Sequence, residues 1–328
     1  MAGSISLYLG LLLFSFFVSS IAIIPFIDFL YRIKFILHHP HPRDPVKIGT
    51  PVGGGLLLIF LLSLLFFVAM SLIDGLGVYI QSAFAIKEEI NILFLTLIIF
   101  GLIGLYEDIT KIFGASLRGH YKNVLQAAAS LFISFLLYTN LSLDFINLPL
   151  LGVLPLGPWF ILVSALIIFT FSRGLDITDG LDGLASGNLL ISLLAFWVIS
   201  AAALDTVLST FIAVWVGGLI AFLYFNVYPA RIWLGDAGSL AFGATLAVIG
   251  LLLGKTSALL VIGGIFLIEG ASNAIDTVCQ ALLKRPLFPI SPPHYWLQSK
   301  GWSEAKVTLR SWLVAIVLAL VGLWLSYV

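Results

Sequence analysis

What this chain lacks narrows its class before any motif is read. It holds a single cysteine, Cys279, in 328 residues, so no internal disulfide and no Cys-based zinc site can form. Charge is scarce: Asp, Glu, Lys and Arg make up only 10% of the chain, and sixteen cations balance sixteen acids. A net charge of zero says nothing about partners, and no nucleic acid is expected among them. The N-terminal apolar run has neither a basic n-region nor a small-residue cleavage site. It is therefore expected to be a retained membrane span, not a removed signal peptide. No inverted repeat of the kind common in transporters is evident.

What is abundant is apolar. Hydrophobic residues make up 61% of the chain and the mean hydropathy is +1.14. Runs of that kind, long enough to cross a hydrocarbon core of roughly 30 Å, indicate an all-α integral membrane protein forming one polytopic domain over residues 1–328. Ten transmembrane helices are expected, near 5–30, 52–73, 90–106, 124–142, 158–172, 186–204, 207–227, 239–253, 256–280 and 307–327. Fourteen of the lysines and arginines fall in connections after odd-numbered spans, and only Lys87 and Lys255 fall after even-numbered ones. Under the positive-inside bias both termini lie outside, and five loops face the cytoplasm. The acidic clusters and all five histidines share that inner side, so the chemistry is expected on the cytoplasmic face.

The chain is organised around Arg173–Gly187, which sets Asp176, Asp179 and Asp182 within seven residues between apolar runs. Ionisable groups beside hydrocarbon are expensive and point to function. If the segment is helical, positions three and four apart share a face, and the three acids form one negative surface. Like charges that close call for a cation between them, and hard oxygen ligands suit magnesium better than zinc.

Other inner loops carry matching groups. The first contains His38, His39 and His41 among prolines, an extended segment ill suited to a metal site, followed by Lys47 before Gly-Thr-Pro. Lys47 fits a cation beside bound phosphate, or a positive-inside lysine. The second places Glu107 and Asp108 at the end of a span, with Lys111, Arg118, His120 and Lys122 after them. That pattern suits a meeting of metal and phosphates, or a solvated helix end. In the fourth, Gly-Asp-Ala-Gly-Ser presents Asp236 with free backbone amides, as a metal–phosphate contact or as a turn or cap residue. The ninth span carries Glu269 and Asp276 on one face. There Glu269 suits a bond to a neighbouring helix, and Asp276 is the nearer to the inner end. The nearly uncharged outer loop near 143–158, with Asp144 its one acid, is expected to form a small hairpin.

Taken in order, these loops resemble the polyprenyl-phosphate N-acetylhexosamine-1-phosphate transferases over nearly the whole chain. The resemblance rests on Lys47-x-Gly-Thr-Pro-x-x-Gly-Gly, Glu107-Asp108-x-x-Lys111, Lys122-x-x-x-Gln126 and Thr178-Asp-Gly-Leu-Asp-Gly-Leu-Ala185. It continues through Phe225-Asn-x-Tyr-Pro-Ala, Leu234-Gly-Asp-x-Gly-Ser-Leu-Ala-x-Gly243 and Ser291-Pro-x-His294, the last in the style of the muramoyl-pentapeptide branch. Three positions depart from the family pattern. Glu107 stands for an Asp, Asp176 for an Asn, and His294-Tyr295-Trp296 for three histidines.

The resemblance implies transfer of phospho-N-acetylmuramoyl-pentapeptide from its UDP conjugate to undecaprenyl phosphate, releasing UMP and forming lipid I. It implies Mg²⁺ held by Asp236 with Asp179 and Asp182. Lys111 and Lys122 would neutralise phosphates, and Asp108 or Glu107 would orient the acceptor or take its proton. Lys47, Asp176 and Asp276 are further substrate-binding candidates. Asn226, Trp233 and His294 are candidates for the nucleotide end, with Trp233 either stacking on uracil or serving as an interfacial anchor. It implies a bacterial cytoplasmic membrane, is compatible with a homodimer, and leaves two other readings. One is a sister enzyme using UDP-N-acetylglucosamine; the other, from a different class, is an ion-coupled transporter.

Overall fold

A computed structural model describes residues 2–36, 49–113, 119–148 and 152–327. Lys47 and the three histidines of the first loop lie outside the described residues, as does Arg118. Among those described, nine helices are long and apolar enough to cross a membrane, and a bent pair makes a tenth span. They are α1 (Ala2–Arg32), α2 (Gly54–Gly75), α3 (Ile86–Ile112), α4 (Gly119–Leu141), α5 (Trp159–Thr178), α6 (Leu184–Ala202), α7 (Thr206–Asn226), α8 (Gly235–Leu252) and α12 (Glu304–Tyr327). The bent pair is α9 (Thr256–Ile262) and α10 (Gly264–Leu283), which turn by 74° at Gly263. The expected ninth span is therefore two helices with different axes. A short helix, α11 (Pro293–Ser299), lies in the last connection.

Burial sorts the helices into centre and periphery. The apolar windows of α7 and α8 are each 89% buried, whereas that of α1 is only 22% buried. A helix apolar all round must be surrounded by protein or lipid. α8 takes the protein option, packed by α3, α5 and α2, while α1 lies along α7 and turns Phe14, Phe17 and Ile21 outward. The expected hairpin is present as β1 (Phe145–Leu148) paired antiparallel with β2 (Gly152–Pro155), Phe145 opposite Pro155.

Two close approaches set the site. A Cβ on Gly104 of α3 would lie 2.1 Å from the Asp236 carbonyl oxygen, so the bare glycine lets α3 touch the start of α8. The end of the first loop pairs with the strand-like segment before α8: Trp233 N donates to Pro51 O (2.9 Å) and Gly54 N to Trp233 O (2.8 Å).

Candidate active site

The central acidic stretch is not one helix. α5 carries Asp176 and ends at Thr178, Asp179 is its C-terminal cap, and a tight turn through Asp182 leads into α6. The glycines of this turn break the helix, and the three acids still meet at one cavity of about 390 Å³. Its walls hold Glu107, Asp176, Asp179, Asp182 and Asp236 with Lys111, Lys122 and Arg173, together with Asn226 and Trp233. Five carboxylates thus face three cations around an open space.

Asp236 sits at the centre of the charge pattern, in the first turn of α8. Lys111 Nζ lies 2.8 Å from each of its carboxylate oxygens, and Lys122 Nζ also bonds Oδ2. Lys122 reaches Asp176 as well (3.1 Å), and Arg173 Nη1 donates to Asp176 at 2.7 Å. Behind them, Asp108 accepts from the amides of Asp236 (2.9 Å) and Ala237 (3.0 Å). Both its oxygens thereby cap the N-terminus of α8, a position where a carboxylate also meets the favourable end of the helix dipole. Asp108 is buried and absent from the cavity wall, and its place is under Asp236.

Asp182 ties the wall together. Its carboxylate accepts from Trp233 Nε1 (3.1 Å) and Ala230 N (2.9 Å), and its own amide donates to Glu304 (2.6 Å). Asn226 is buried, donating to Ile232 O (3.0 Å) and accepting from Ser186. A larger recess of about 740 Å³ adjoins the acid cavity. The two share Asp182, Trp233 and Tyr295, and the recess continues along Tyr228, Gln298, Trp302 and Glu304.

The donor chemistry of the acid cavity fits magnesium. Its ligands are hard oxygens, and Glu107 Oε2 is buried without a hydrogen-bond partner on that wall. Among the described residues no three acids or histidines converge as a ready-made cage. Magnesium rarely uses one; it is commonly held by one or two carboxylates together with substrate phosphates.

Comparison with known proteins places this geometry. The sequence model of glycosyl transferase family 4 matches residues 90–254. The chain is 33% identical to a phospho-N-acetylmuramoyl-pentapeptide-transferase of Levilactobacillus brevis, covering 85% of this chain and 84% of that one. Proteins of the same name from Desulforudis audaxviator (32% identity, 90% and 91% covered) and Listeria monocytogenes (31%, 94% and 94%) are similar over still more of their length. The chain belongs to the phospho-N-acetylmuramoyl-pentapeptide transferase family.

Within this transferase the remaining candidates divide. His294 is buried, with Nδ1 2.8 Å from Glu269 Oε2 and Nε2 left without a partner. Nε2 faces Gly180: a Cβ there would meet it at 2.7 Å and the Tyr295 hydroxyl at 2.9 Å. Asp276 does not reach the cavity; its carboxylate accepts from the amides of Leu287 (2.8 Å) and Phe288 (3.2 Å) and holds the last loop. Glu269 therefore bonds a neighbouring helix as expected, through His294 of α11, whereas Asp276 departs from its expected place because the last loop folds back onto its carboxylate.

Sequence reasoning passed over Arg173, Glu269, Glu304 and Tyr295 as site residues. Arg173 opens the central stretch and sits three residues before Asp176, a spacing that signals an ion pair on a helix. No local signal pairs Glu269 with His294 or Glu304 with Asp182, since each contact joins distant segments.

Proposed function

We propose that this transferase moves phospho-N-acetylmuramoyl-pentapeptide from its UDP conjugate to undecaprenyl phosphate, in a bacterial cytoplasmic membrane with the acid cavity facing the cytoplasm. The observation that carries the reading is the set of Lys111, Lys122 and Arg173 on a carboxylate-lined cavity opening into a recess large enough for a nucleotide sugar. The relatives' names supply the substrate class.

In this reaction an oxygen of the acceptor phosphate forms a bond to the sugar-bearing β-phosphorus of the donor. The bond from that phosphorus to the bridging oxygen breaks, and UMP leaves with the electron pair. Such a transfer asks little covalent chemistry of the protein and much positioning and charge neutralisation. Lys111, Lys122 and Arg173 stand at the cavity wall to take up phosphate charge. Asp236 and Asp179 are the residues that would hold Mg²⁺, with Asp182 turned mainly to Trp233 and Ala230. When bound, the metal neutralises charge on the donor diphosphate. A phosphate monoester has a second pKa of roughly 6, so the acceptor needs little help to lose its proton near pH 7. Asp108 is spent on the α8 amides and acts as a positioning residue, which leaves Glu107 beside Lys111 to orient the acceptor phosphate. The recess lined by Trp233 and Tyr295 takes the uridine and sugar, Trp233 offering an aromatic face.

The test is UMP release by purified protein with undecaprenyl phosphate and magnesium, comparing the muramoyl-pentapeptide and N-acetylglucosamine UDP donors. Turnover with the first alone is expected, falling by about 100-fold or more in Asp236→Asn, the scale of losing a central electrostatic contact. Turnover with only UDP-N-acetylglucosamine would move the chain to a different donor, and no UMP from either would overturn the reading.

A further inference from the structure

Asp236, the acid best placed for a metal, is already taken. Lys111 Nζ lies 2.8 Å from both of its oxygens, on the side where a chelated cation would sit, and Lys122 bonds Oδ2. An ionised carboxylate offers about four lone-pair positions, and these two ammoniums use most of them. A divalent cation chelated by both oxygens of Asp236 must displace Lys111, and it is repelled by both ammoniums.

Each lysine has a second anion within reach. Lys111 has Glu107 Oε1 at 3.9 Å, one helical turn away. Lys122 has Asp176 at 3.1 Å, itself anchored by Arg173 at 2.7 Å. Glu107 and Asp176 are two of the three positions where this chain departs from the family pattern: one is lengthened by a methylene, the other carries a charge where an amide is usual. Both departures therefore provide a resting place for a lysine that leaves Asp236.

We propose that Lys111 and Lys122 form a latch on Asp236 that the donor diphosphate opens, making metal and nucleotide binding mutually dependent in this enzyme. This inference rests on the magnesium reading of the site. In the free enzyme the lysines hold Asp236 and the metal binds weakly. A diphosphate draws the ammoniums onto its own oxygens and releases the carboxylate to the cation. By linkage, the metal strengthens nucleotide binding by the same factor. Glu107 and Asp176 lower the cost of release, so the latch opens without leaving the buried Lys122 ammonium unpaired.

The experiment uses Mn²⁺ as a paramagnetic probe, with binding to the detergent-purified full chain followed by electron paramagnetic resonance without nucleotide. Lys111→Met and Lys122→Met are each expected to tighten Mn²⁺ binding by about fivefold or more, the lower end of common coupling factors. Lys122→Arg, which keeps the charge, should stay within about twofold of wild type on the same scale. Asp176→Asn removes a resting place and should weaken Mn²⁺ binding several-fold. UDP should raise the wild-type affinity and raise it less in the Met variants, after correction for Mn²⁺–UDP formed in solution. Affinities in both Met variants equal to or below wild type, with binding still lost in Asp236→Asn, would overturn the latch and leave the metal site standing. Mn²⁺ binding unaffected by Asp236→Asn would overturn the metal site itself. If one Met variant does not fold, the other decides between the same outcomes, and Asp176→Asn binding Mn²⁺ as tightly as wild type would also overturn the latch.

Discussion

Tyr295 occupies a position where the family pattern has histidine, and its ring forms a wall common to the acid cavity and the larger recess. Its hydroxyl lies over Gly180, at the junction of the two spaces. If the recess takes the donor as proposed, a side chain so placed acts on how the donor is held in the ground state. Tyr295→Ala is expected to raise KM for the UDP donor by about fivefold to tenfold, the equivalent of one hydrogen bond worth about 1 kcal/mol, with kcat changed little. Tyr295→His should restore most of the loss. Steady-state kinetics with varied donor check both; a fall in kcat alone in Tyr295→Ala would assign the residue to the chemical step instead. The neighbouring His294 was legible in the sequence as a candidate, but its partner Glu269 was not. A glutamate in an apolar helix announces only that it needs company, and which company depends on a bend that composition does not encode.

At the scale of elements, the start of α8 is held closely by α3. Gly104 and Asp108, one turn apart on α3, touch the same two residues: the glycine by its bare backbone, the aspartate through two hydrogen bonds. Gly104→Ala places a methyl carbon 2.1 Å from the Asp236 carbonyl oxygen and must push the helices apart. Overpacking of this kind costs about 1–3 kcal/mol. It should also loosen Asp236, so UMP release is expected to fall in the folded fraction together with the melting temperature. A variant that melts lower yet retains full turnover per folded molecule would separate packing from positioning. The acids of this region were legible from their spacing and their place at membrane boundaries. Their division of labour was not, because Asp108 and Asp236 look alike in sequence, and only the approach of α3 to α8 makes one the cap and the other the centre.

For the whole molecule, the fourteen-to-two bias of cations predicts which side of the membrane each loop occupies. With Cys279 replaced by serine, single cysteines introduced at Ser142 and at Gln298 report the two sides. Ser142, beside the hairpin, should react with an impermeant maleimide in intact cells, and Gln298, in the larger recess, only after the membrane is opened. The reverse pattern would place the catalytic cavity outside and remove its access to a cytoplasmic nucleotide sugar.

Sequence alone settled the membrane class, the number of crossings to within the one broken span, the hairpin between α4 and α5 and the pool of acids and lysines from which the site is built. These follow from local quantities, namely the length of an apolar run, the spacing of charges and the residues of a turn, which neighbours in the chain settle among themselves. Tertiary structure decided which of those charges meet. Lys111 and Asp236 are separated by 125 positions, as are Asp182 and Glu304 by 122, and their contacts exist only because α3 packs against α8 and α6 against α12. Pairing across such distances depends on helix rotation and the depth of each end, and those are set by side chains interlocking in the core.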